Sequence, residues 1–87
     1  MKSLLDMLNE EDRLIKERNR NFETQVDLLH AIDDIERNPR IYASRLDDVP
    51  RYREKITALE KREAEIKNEL ENVRISICRY LLKPLER

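Results

Sequence analysis

Nowhere among its 87 residues does the chain contain a glycine, the residue that most cheaply supplies the positive φ of tight β-hairpin turns. A sheet assembled from such hairpins would lack its connectors. Strand formers are sparse as well: aromatic residues make up 5% of the chain and charged residues 43%. Both features point to an all-α fold. At 10.6 kDa the chain has room for one small domain, spanning residues 1–87.

Local signals divide that domain into two long helices and a connector. Ser3 stands three residues before Asp6, a capping-box arrangement that opens a helix over about residues 3–37. Asn38-Pro39 ends it, because proline disfavours the α conformation of the residue before it and has no N–H to donate. The same pair is expected to cap a short helix through Arg40–Arg45, within a connector covering residues 38–48. Asp47 or Asp48 followed by Val49-Pro50 repeats the signal. A second helix is therefore expected over about residues 49–83, stopping at Pro84.

Heptad spacing sets how these helices pack. In the second helix Tyr52, Leu59, Ile66, Val73 and Tyr80 recur every seven residues, with Ile56, Leu70 and Ile77 between them and Glu63 the one charged member. The first helix carries Leu5, Leu8, Ile15, Phe22, Val26 and Leu29 on one stripe, interrupted by Asp12 and Asn19. Folding the two together as an antiparallel, coiled-coil-like hairpin gives facing residues numbers of nearly constant sum. Leu29 opposite Ile56 sets that sum at 85, and the layers Phe22/Glu63, Asn19/Ile66 and Asp12/Val73 follow, so no two polar residues share a layer.

Helices of about 35 residues are on the order of 50 Å long, and a lone hairpin of that length has a single seam to bury. A second set of apolar positions lies beside it: Leu4, Met7, Leu14, Leu28, Ile32 and Ile35 on the first helix, and Ile75, Cys78 and Leu82 on the second. Self-association into a homodimeric four-helix bundle or a higher oligomer would cover them. The open end of the hairpin, with Leu4, Met7, Leu14, Ile75, Cys78, Leu82 and Leu85, is the expected partner-binding surface.

Residues with catalytic or ligand-binding chemistry are few. His30 is the single histidine, and Asp27-x-x-His30 has the i, i+3 spacing of carboxylate-bridged metal sites. The register sets Lys55 and Ala58 opposite it, neither of them a metal ligand, so the pair reads as solvated surface. Cys78, the single cysteine, cannot close an internal disulfide, which fits a reducing compartment and a cytoplasmic location. It falls late in a helix, where the dipole disfavours a thiolate. No catalytic, cofactor or metal site is expected.

Charge excludes more than it proposes. Lys and Arg number 18 against 19 Asp and Glu, a formal net charge of −1, which gives no general polyelectrolyte affinity. Apolar runs are far too short for a transmembrane helix or a signal peptide. Arg37, Arg40, Arg45, Arg51 and Arg53 crowd the connector beside Tyr42 and Tyr52, an arrangement that binds phosphates or stacks bases in other settings. Asp33, Asp34, Glu36, Asp47, Asp48 and Glu54 share that end and offset the charge. The leading expectation is thus a non-enzymatic helical protein that self-associates and binds another protein through apolar helix faces, as adaptors, chaperones, assembly factors and inhibitors do. The alternative is an oligomer whose connector and first-helix arginines bind nucleic acid or a small nucleotide.

Overall fold

The structure, a computed structural model, describes residues 2–82. It consists of α1 (Leu4–Arg37), a 3-10 turn (Ala43–Arg45) and α2 (Asp48–Leu82), with no strand among the described residues. Cross-helix pairs near both ends, Glu11 with Arg74 and Glu36 with Arg53, show the two long helices running antiparallel. The result is a hairpin 70 Å long and 16 to 18 Å across.

α1 begins as its cap dictates. Ser3 Oγ accepts the Asp6 N–H at 3.1 Å, and the Asp6 carboxylate accepts the Ser3 N–H at 3.3 Å. Both donors would otherwise be orphans of the first turn. At the other end Asn38 is the C-cap of α1, donating its N–H to the Asp34 carbonyl at 3.1 Å. The short helix expected over Arg40–Arg45 is present only as its last three residues. The Asn38 carbonyl instead accepts from the N–H groups of both Ile41 and Tyr42, and only Ala43–Arg45 is helical, as a 3-10 turn. Ile41 is 75% exposed, so it buries little apolar surface to repay the entropy of nucleating a helix. α2 then starts at Asp48, with Pro50 in its first turn, where a missing N–H costs nothing. The predicted stop at Pro84 lies outside the described residues.

α2 buries the face its heptads indicate. Ile56, Ile66, Leu70 and Val73 are buried, and Tyr52, Leu59 and Ile77 are half-buried. Glu63 stays exposed, and so does Tyr80 at the frayed end of the seam.

α1 does not bury its expected face. Leu5, Leu8, Phe22 and Leu29 are exposed, and Ile15 and Val26 are half-buried. The buried positions are Met7, Leu14, Asn21, Ile32 and Ile35, so the helix is turned by one residue, about 100°, from the expected orientation. The layers that set Asp12 and Asn19 against α2 are therefore absent. The inner stripe, Met7-Leu14-Asn21-Leu28-Ile35, is also interrupted by polar residues, of which Glu11 is half-buried and pairs with Arg74, Arg18 is exposed, Gln25 is half-buried and Asn21 is buried. Asn21 is satisfied in place. Its amide donates to the Leu59 carbonyl at 2.9 Å, and its oxygen accepts from Gln25 at 2.5 Å.

The register survives this rotation. Glu11 with Arg74 lies on the sum of 85, Asn21 with Leu59 and Glu17 with Arg62 fall a little below, and Gln25 with Glu63 and Glu36 with Arg53 a little above. Glu11 and Glu17 flank the buried stripe, and each meets an arginine of α2.

Candidate functional site: an exposed apolar face

Turning α1 by one residue leaves Leu5, Leu8, Phe22 and Leu29 exposed, Val26 half-buried, and Ile15 half-buried against the hairpin core. Leu5, Leu8, Ile15, Phe22, Val26 and Leu29 follow one another at intervals of three, four or seven, so all lie along one side of the helix. Leu5 is 66% exposed, Phe22 64% and Leu29 53%. Single exposed leucines are ordinary, whereas several along one side of a helix make a candidate contact surface.

α2 extends that face. An open groove of about 900 Å³ is lined by Arg18 of α1 together with Lys67, Ile75, Cys78, Arg79 and Leu82 of α2, among others. A smaller groove beside it contains Arg18, Asn19, Phe22 and Glu63. Because both contain Arg18 and Glu63, the α1 stripe and the α2 groove lie on one side of the hairpin. The rim is of mixed charge, with Glu60, Glu63 and Glu71 beside the basic residues, and apolar walls of this kind suit an amphipathic helix better than a small polar ligand.

The expected partner surface is divided by the structure. Ile75, Cys78 and Leu82 come together in the groove and are exposed. Met7 and Leu14 do not join them: both are buried in the hairpin core with Ile66, Leu70 and Val73, and Leu4 packs against that core. This is a correction, and it has the same cause as the rotation of α1, since these residues form the inner stripe. Leu85 lies outside the described residues. Leu5, Leu8, Phe22 and Leu29 take the place of the buried residues on the exposed face. Charge along the chain would not have found them: the inner stripe is interrupted by Glu11 and Arg18 and the outer one by Asp12.

On the seam's edge Arg62 organises a four-residue ion cluster. It donates two parallel hydrogen bonds to Glu17, Nε to Oε1 at 3.0 Å and Nη2 to Oε2 at 2.8 Å, and further bonds to Glu65 at 3.2 Å and Glu69 at 3.3 Å. The hydrogen bond from Arg62 holds the Glu17 carboxyl below the usual carboxylate range. These bonds to Glu17, Glu65 and Glu69 in turn raise the affinity of Arg62 for its proton. The cluster ties α1 to α2 and contains no group poised for proton transfer. Its formation diverts Glu65 from the i, i+4 pairing with Lys61 that helix spacing alone suggests.

Four of the five connector arginines hold carboxylates. Arg37 pairs with Asp33, Arg51 and Arg45 with Asp48, and Arg53 with Glu36, while Arg40 has no ion-pair partner among the described residues. Arg45 also donates to the Tyr52 hydroxyl at 3.2 Å, which raises its proton affinity. His30 and Asp27 are exposed, and among the described residues no three His, Cys, Asp or Glu side chains are grouped to hold a metal ion. No described helix is long and apolar enough to cross a membrane. Comparison of the chain with protein-family models, with curated proteins and with solved structures finds no match.

Proposed function

We propose that the chain is a non-enzymatic helical-hairpin module that self-associates and holds a protein partner through its exposed apolar face. The observation that carries this reading is the outward stripe of α1, continuous with the Ile75–Cys78–Leu82 groove of α2. Covering such a stripe yields about 25 cal/mol per Å² of apolar surface removed from water, while the charged opposite flank keeps the assembly soluble. Self-association and partner binding use different parts of the face: the α1 stripe suits another long helix, and the α2 groove a shorter one.

Absolute mass by light scattering over a concentration series tests the reading. The wild-type chain should run at a stable multiple of 10.6 kDa. Phe22→Asp should reduce that mass while leaving helicity unchanged, because Phe22 is exposed in the hairpin. Ile75→Asp should leave the mass unchanged and abolish partner binding. A wild-type chain that stays monomeric throughout the series would contradict the self-association half of the proposal.

A further inference from the structure

We infer that the hairpin is built of two units, and that the half away from the connector, which carries the α2 groove, opens while the connector half stays folded. The buried side chains fall into two groups. Met7, Leu14, Ile66, Leu70 and Val73 form one core cluster toward the open end, with Leu4, Ile15 and Ile77 packed against it. Ile32, Ile35 and Ile56 are buried toward the connector and are no part of that cluster.

Polar residues separate the groups. From Leu14 to Leu28, about 20 Å along the axis, the inner stripe of α1 holds Arg18, Asn21 and Gln25 and no apolar residue between its ends. Across from them Asn21 donates to the Leu59 carbonyl, Gln25 to Glu63, and Arg62 to Glu17. These bonds fix how the helices meet. The Arg62 and Glu17 side chains are each about a third exposed, so solvent screens their attraction, and the belt does not carry the packing of one group into the other.

The two ends are not equivalent, because the connector joins the helices at one end only. Unpacking the connector half beneath a packed open half would leave a closed loop, and unpacking the open half avoids that entropy cost. The open half therefore unpacks first. Leu70 belongs both to its core cluster and to the groove lining, and Arg74, which also lines the groove, is the residue that holds Glu11 of α1. Opening takes the groove apart, so the opening equilibrium sets the fraction of chains that present it.

Amide hydrogen exchange of the full chain in low urea, resolved by residue, tests this with two conservative variants, Ile66→Val and Ile35→Val, each at a site at most 2% exposed. In the wild type the slow amides of the open half should exchange faster than those of the connector half. Ile66→Val should speed both halves, roughly three- to tenfold, because Ile66 is packed only while the open half is closed. Ile35→Val should speed the connector half by a similar factor and leave the open half unchanged, because Ile35 stays packed when the open half unpacks. Equal acceleration of both halves by Ile35→Val would show a single cooperative unit and overturn the inference, as would an open half no less protected than the connector half. Circular dichroism on each variant confirms that the hairpin is intact.

Discussion

Leu14 and Phe22 are both large apolar residues of α1, yet Leu14 is fully buried and Phe22 is 64% exposed. Truncating each should therefore separate folding from association. Leu14→Ala empties a packed site and should cost about 3 kcal/mol in urea unfolding. Phe22→Ala should change the stability of the isolated hairpin by less than about 0.5 kcal/mol, while weakening self-association. Equal losses in the two variants at low protein concentration would contradict the assigned faces of α1. A second residue-scale expectation concerns Glu17, whose carboxyl titrates below its ordinary value because Arg62 donates to it. A depressed folded-state value contributes stability that is present above the unfolded carboxylate pKa of about 4.3 and is lost as pH falls through the folded value. Urea midpoints should accordingly fall as pH drops below about 4.3. Glu17→Gln should flatten that part of the fall, and an unchanged profile would show that the pair contributes nothing to the pH dependence.

At the scale of the element, the cap of α1 is testable alone. Ser3→Ala removes the acceptor for the Asp6 N–H and should lower stability by about 1 kcal/mol, with the loss of amide protection confined to the first turn. The helix boundaries were legible in the chain because caps and prolines act locally: Ser3, Asn38-Pro39 and Asp48 stand where the helices start and stop. The face of α2 was legible too, because its heptads leave one apolar stripe in the middle of the helix. α1 carries two such stripes, one residue apart, and periodicity has no means of ranking them. The buried face carries Asn21, whose amide meets the Leu59 carbonyl across the seam, a partner 38 residues away that no local pattern reveals. The connector helix is cut short for a related reason. Its cap signals were sound, but Ile41 buries little apolar surface.

For the whole molecule, a hairpin 70 Å long and at most 18 Å across has little interior, so much of its apolar surface stays outside. Such a shape leaves apolar surface that the proposed assembly would cover. If the α1 stripe is the contact, folding and association are linked, and the stability of the chain depends on its concentration. The most direct test of the account is the urea midpoint of helix unfolding, followed by circular dichroism at two protein concentrations about a hundredfold apart, for the wild-type chain and for Phe22→Asp. The account predicts a midpoint that rises with concentration for the wild type and does not move for the variant, with both reaching the same value at the lower concentration. A wild-type midpoint independent of concentration, or a variant that shows the same rise, would contradict it.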